Sequence, residues 1–374
     1  MKRYLAAALA AYATLGVATT MLGPLLPLLQ SQWTLSDRQA GALFVAQFCG
    51  GFAGAIASGE LTRRRSARFT SRLGFLLISA GFVSMPWQKL WMLVSGIALY
   101  GFGIGLAMPA ITLAVCELFH RHSARVLNLL NLFWAIGAIA APGIFLKLVA
   151  GDLLRLRNTL LTAAVVAIPF GFCLPSAAPP AAGEQAARAL GGGDLRKLLS
   201  CALFIFAYVG VENGVAGWMP SLVERLHQFS SGRAALLQAL FWTAFLLGRL
   251  LSSALGRPGV EQRVLRLSFL VAACGTGLLL WGSGSALLFA AAILLGLGLA
   301  PLFPTAVSVL SEKISAEWRP RLGWVFAAGG LGGAVLPYGI GALSNAFSSL
   351  RQGMSLLLVA EIVLLFILFQ MRRW

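Results

Sequence analysis

The chain has 374 residues, of which 59% are hydrophobic and only 11% charged, with a formal net charge of +17. Soluble domains carry about 25% charged residues, so a water-soluble enzyme or binding domain is excluded. The five cysteines, Cys49, Cys116, Cys173, Cys201 and Cys274, form no CxxC pair, which leaves neither a disulfide framework nor a zinc site.

Apolar runs of about 18 residues or more, long enough to cross a ~30 Å hydrocarbon layer, predict twelve membrane helices. In chain order they cover 5–29, 38–60, 70–86, 90–116, 126–148, 158–175, 197–222, 234–255, 264–282, 285–310, 322–347 and 353–371. The first follows Lys2-Arg3 and contains Pro24 and Pro27; it is too long for a secretory signal and reads as the first helix. The loops are short, so neighbouring helices run antiparallel. With a cytoplasmic N-terminus, the inner loops receive Arg63, Arg64, Arg65, Arg68 and Arg72 after the second run. They also receive Arg121 and Arg125 after the fourth run, and Arg257, Arg263 and Arg266 after the eighth. The outer loops hold scattered cations such as Arg38, Lys89, Lys147, Arg155 and Arg157. This bias puts both termini in the cytoplasm and makes the basicity an orientation signal rather than a nucleic-acid footprint.

Between the sixth and seventh runs, Pro175–Asp194 is rich in Ala, Pro and Gly and reads as a flexible linker. The expected organisation is an N-terminal six-helix bundle over 1–175, a cytoplasmic linker over 176–196 and a C-terminal six-helix bundle over 197–374. The two halves also echo each other. Gly101, Gly103, Pro109, Glu117, Gly137 and Pro142 are answered by Gly296, Gly298, Pro304, Glu312, Gly332 and Pro337, each pair 195 residues apart. Pro24 and Pro220 stand 196 apart. Glycines let helices approach closely and prolines bend them where side chains satisfy the freed carbonyls. A half-length repeat in so apolar a chain predicts the paired bundles of a membrane transporter, with the binding site where they meet.

These features resemble the major facilitator superfamily over essentially the full length. Gly59-Glu60-Leu61-Thr62-Arg63-Arg64-Arg65 resembles that superfamily's cytoplasmic loop motif, with Arg63 where aspartate is usual and Ser66 where glycine is usual. Gly248-Arg249 followed by Arg257 resembles the degenerate copy after the eighth helix, and Gly137–Gly143 resembles the glycine-proline motif of the fifth. Tyr208-Val209-Gly210-Val211-Glu212 with Gly217-Trp218-Met219-Pro220 is similar to the seventh helix of the fucose-permease and sodium–glucose symporter branch. Pro301–Thr305 and Gly332–Pro337 fit the same branch. The resemblance implies alternating access around a substrate held near the midplane. The first helix lacks the proton-linked acid that fucose permeases carry there, and the fourth lacks the core arginine of many drug exporters.

Glu212 lies about 15 residues into the seventh run, where burying a charge costs roughly 2.5–3.5 kcal/mol on insertion scales. With Tyr208 one turn earlier it makes a polar stripe. The carboxylate either binds a proton or sodium ion and couples it to substrate, or it partners an arginine of the same bundle. Gln47, Asn128, Asn131, Trp134, Tyr208, Asn213, Gln238 and Trp242 are the candidate substrate-binding residues. Amides suit solute hydroxyls or helix–helix bonds alike, and tryptophans suit the CH faces of sugars. Trp218 falls near a membrane interface, where tryptophan is common, and Trp324 is a further stacking candidate. Arg63, Arg64, Arg249, Gly137 and Pro142 are expected at gates and structural contacts. Glu361, mid-way along the twelfth run, either faces an inner helix or stays protonated.

The expected protein is an all-α, twelve-helix secondary transporter of a bacterial inner membrane, monomeric, and driven by a proton or sodium gradient. His120, His122 and His227 sit in loops or at run ends and build no catalytic site, and no Walker loop implies direct ATP drive. The expected partners are a small-molecule substrate, a coupling ion and the lipid bilayer, with no cofactor, metal or nucleic acid. Ion-coupled uptake of a sugar or similar polar solute is the favoured chemistry. Proton-driven efflux of amphipathic compounds is the alternative, and a non-transporting membrane sensor the third reading.

Overall fold

The computed structural model describes residues 2–87, 89–119, 122–149, 152–172, 192–255, 260–313 and 323–371. Residues 176–191 of the expected linker, with His120, Arg121 and Arg257, lie outside them. The described chain is helical, and it divides into two compact units, Met1–Gly183 and Glu184–Trp374.

In unit 1 the helices are α1 (Lys2–Thr20), α2 (Leu22–Trp33), α3 (Asp37–Arg64), α4 (Ala67–Ser84), α5 (Leu90–Leu118), α6 (Ser123–Val149) and α7 (Leu153–Phe172). Helices α1 and α2 are one run bent by 41°, because Pro24 has no N–H for the Thr20 carbonyl. Ser36 starts α3 with a capping box: Gln39 N donates to Ser36 Oγ at 3.3 Å, and Ser36 N donates to Gln39 Oε1 at 2.9 Å. Ser66 caps α4 by accepting from Phe69 N at 3.1 Å.

Unit 2 contains α8 (Gly192–His227), α9 (Ser231–Leu255), α10 (Glu261–Trp281), α11 (Ser285–Leu299), α12 (Leu302–Lys313), α13 (Gly323–Phe347), α14 (Leu350–Met354) and α15 (Leu356–Met371). Helix α8 starts at Gly192, so residues 192–196, read as linker, are helical. Asp194 in the first turn complements the helix dipole and pairs with Lys197 at 3.2 Å. Pro301 follows the end of α11 and α12 begins at the next residue, so the predicted run 285–310 is two helices.

Nine spans of the described residues are long and apolar enough to cross a membrane, and the bent α1–α2 pair makes a tenth. The predicted runs 70–86 and 322–347 fall on α4 and α13, outside that set. Arg68 and Arg72 occupy the first turns of α4 and lower its mean hydropathy.

The half-length repeat is a packing repeat. A side chain on Gly137 would collide with the Ala13 carbonyl of α1, and one on Gly332 with the Phe206 carbonyl of α8. Gly101 and Gly296 likewise abut Gln47 of α3 and Phe241 of α9. The tyrosines follow suit. Tyr12 and Tyr208, 196 residues apart, touch Met108 and Phe303, which are 195 apart.

Candidate functional site

Helix α8 runs through unit 2 with Val211, Val215 and Trp218 fully buried, yet Glu212 between them is only half-buried. Tyr208, Glu212 and Ala216 follow at four-residue spacing and share one face of α8. Helix α9 runs antiparallel beside it and turns Gln238, Trp242, Phe245 and Arg249 toward that face, again at helical spacing.

At one end of this seam Gln238, wholly buried, donates from Nε2 to the Ala216 carbonyl at 2.7 Å. That carbonyl lies four residues before Pro220, which has no N–H to offer it. The glutamine therefore replaces the hydrogen bond that the proline removes, and its own Oε1 is left buried without a partner. At the middle Trp242 packs edge-on against Phe245, ring centroids 5.5 Å apart and planes at 75°, and against Phe241 at 5.0 Å. Phe245 then carries the Arg249 guanidinium over its ring face, 4.6 Å from the centroid, a cation–π contact that holds the charge against α8.

At the other end Tyr208 lies within hydrogen-bonding reach of both Glu212 and Arg249, and the arginine charge acts on the carboxylate. Glu212 and Arg249 do not close into a contact ion pair, and neither the Tyr208 hydroxyl nor Arg249 Nε completes a hydrogen bond of ordinary geometry. An acid, a cation and a phenol are thus gathered without being locked together. Tyr208 also stacks on Phe303, centroids 6.0 Å apart.

A family model, Major Facilitator Superfamily, matches residues 8–322. The chain belongs to that superfamily, whose members are membrane transporters and not enzymes. Two curated relatives align along this facilitator. It is 22% identical over 353 residues to a glucose/mannose transporter, GlcP, of Bacillus subtilis, covering 88% of this chain and 84% of the relative. It is 23% identical over 388 residues to a sodium-dependent glucose transporter 1A of Mus musculus, covering 91% and 89%. The second is of the sodium–glucose type that the motifs of α8 resemble. Among solved structures, a D-xylose–proton symporter superposes with a TM-score of 0.81 at 14% identity, covering 98% of this facilitator and 96% of that chain.

The other sequence candidates are placed apart from the Tyr208–Glu212–Arg249 cluster. Gln47, in α3, repeats the role of Gln238: buried, it donates to the Thr19 carbonyl in the last turn of α1 at 2.8 Å, and its Oε1 has no partner. Asn213 turns its amide back on its own helix, donating to the Val209 carbonyl at 2.8 Å, and so lies off the Tyr208–Glu212 face. Asn128 and Asn131 are exposed on α6 with no hydrogen bond among the described residues, and the Trp134 backbone receives Gly16 of α1. Arg63 and Arg64 both clamp Glu60 at the exposed end of α3, Arg63 through Nε at 3.0 Å. Pro142 lies within α6, one and a half turns beyond Gly137.

Trp218, expected near an interface, is fully buried within unit 2 and donates to the Pro337 carbonyl of α13 at 2.9 Å. Trp324 is exposed. Glu361 faces inward from α15, where Thr276 Oγ1 of α10 donates to its Oε1 at 2.5 Å. Phe245 escaped sequence reading, although its place in the 238–242–245–249 spacing was the available signal. Thr276 left no such signal, since only the packing of α10 on α15 pairs it with Glu361.

Proposed function

We propose that this facilitator is a secondary active transporter that couples a proton or sodium ion to uptake of a sugar or similar small polar solute. It works by alternating access of two six-helix bundles with both termini cytoplasmic. The observation that carries the reading is the half-buried Glu212 gathered with Tyr208 and Arg249 on the α8–α9 seam. A carboxylate that is neither salt-bridged nor sealed off can take up and release a cation, and the neighbouring guanidinium makes its charge state felt by α9. Binding of the ion weakens the pull on Arg249; its release restores it. The cation–π seat on Phe245 gives the arginine a place to remain while the acid is neutral. The names of the glucose-transporting relatives and of the xylose symporter support a sugar-like solute.

The test is uptake of labelled glucose, xylose and fucose into proteoliposomes, with and without an imposed pH or sodium gradient. One gradient is expected to drive accumulation. Glu212→Gln is expected to abolish accumulation while leaving exchange of solute between the two sides. Undiminished gradient-driven uptake by that variant would remove Glu212 from the coupling role.

A further inference from the structure

A cavity of about 620 Å³ lies wholly within unit 1, between α1, α6 and α7, with Phe82 of α4 at its floor. It is remote from the α8–α9 seam in sequence and chemistry. Val17, Ile136, Ala140, Ile144, Leu148 and Val166 make its walls. The Thr14 hydroxyl adds no polarity, because it donates to the Ala10 carbonyl at 3.0 Å. The cavity is a groove rather than a sealed chamber: Ile136, Leu148 and Val166 remain 45%, 53% and 52% exposed.

Charge is confined to one end. Arg155, Asn158 and Thr162 succeed one another along the groove-facing side of α7, beginning in its first turn. Among the described residues Arg155 is held only by an exposed ion pair with Asp152 at 3.9 Å, too weak to occupy its five donors. Asp152 itself caps α7, accepting from Leu154 N at 2.9 Å. Lys147 and Arg157 stand exposed beside the same α6–α7 turn, so three cations face one acid there.

The dimensions match a membrane amphiphile. From Arg155 to Val166 is eleven residues, about 16 Å along a helix, and half of a ~30 Å hydrocarbon layer is about 15 Å. The groove therefore runs from the chain reversal that marks the membrane boundary to the middle of the bilayer.

We propose that this groove is a binding site for an anionic phospholipid of the surrounding bilayer. Its phosphate sits at Arg155 and Asn158, and one acyl chain lies along Leu148, Ile144 and Val166. The positive α6–α7 turn selects an anionic headgroup, and the open side admits the second chain to bulk lipid.

The test uses the full chain in liposomes doped with phosphatidylglycerol carrying a diazirine near the acyl terminus, or with the matched phosphatidylcholine probe. After photolysis, cross-linked peptides are located by mass spectrometry. Labelling is expected to concentrate on 136–148 and 162–166, and to favour phosphatidylglycerol. Arg155→Gln should lower the yield there about fivefold, the worth of one interfacial cation toward anionic lipid. Ala140→Phe, which fills the groove from the opposite wall, should abolish it, and gel filtration confirms that each variant is folded. Labelling spread evenly over other exposed faces, such as those of Leu267 and Phe366, would overturn the proposal. So would equal labelling by both headgroups, which would give the groove to neutral amphiphiles. The readout does not involve transport, so it stands or falls apart from the coupling role of Glu212.

Discussion

Gln238→Leu is expected to destabilise unit 2 by about 1 kcal/mol, and only while Pro220 is present. The substitution keeps most of the side-chain volume and removes the donor that reaches the Ala216 carbonyl at 2.7 Å. Two effects then oppose each other. The Ala216 carbonyl is left bare, at about 1–3 kcal/mol, while the Oε1 that is already unpartnered no longer has to be buried. Interhelical hydrogen bonds in membranes average about 0.6 kcal/mol and reach about 1.7, which brackets the net expectation. In a Pro220→Ala background the restored N–H of residue 220 satisfies Ala216 from within α8, and Gln238→Leu becomes neutral. Reversible unfolding of the four proteins in mixed micelles measures the coupling, expected near 1 kcal/mol. An equal loss in both backgrounds would refute the idea that the glutamine substitutes for the proline's missing donor.

Gly137→Val and Gly332→Val each force a side chain into a helix backbone and are expected to cost about 1–3 kcal/mol or prevent folding. Gly143→Ala, which meets nothing within 4 Å, should leave the melting temperature unchanged, and a comparable loss there would undo the contrast. Thr276→Val strips the donor from buried Glu361 and should destabilise by about 1–3 kcal/mol; Glu361→Gln, which keeps a polar partner for Thr276, should cost less in the same assay. Arg63→Gln and Arg64→Gln touch only an exposed cluster around Glu60 and should each shift stability by less than about 1 kcal/mol, read from the same unfolding curves. At the α8–α9 seam, Glu212→Gln should remove gradient-driven accumulation in proteoliposomes while solute exchange persists.

The helical class and most element positions were legible in the sequence, because apolar length is a one-dimensional property and membrane crossing depends on little else. The repeat was legible too. Its matched glycines marked real backbone contacts, since no other residue lets two helices come so close. Tyr208 and Glu212 could be placed together from their four-residue spacing alone. Which residue of α9 they meet could not: Arg249 read as part of a gate or a structural ion pair near the end of its helix, and antiparallel packing set it opposite Tyr208.

The partners of other residues were hidden for the same reason. Trp218 suits a membrane interface by type, yet the approach of α13 buries it against the Pro337 carbonyl. Asn213 read as a candidate ligand for solute, and in the structure its amide reaches its own backbone four residues back. Gln47 and Gln238 looked like two separate polar candidates and are one device used twice, each mending a carbonyl at a helix break or proline. By itself the sequence determined that this chain is a helical membrane protein built of two related halves, and that Glu212 is its most conspicuous acid. Tertiary structure alone decided which polar groups meet. Glu212 was given a phenol and a cation, Glu361 a threonine hydroxyl, and the α6–α7 groove its charged end. Hydrogen bonds and charges act over a few ångströms between helices far apart in the chain, and spacing along one helix carries no record of its neighbour.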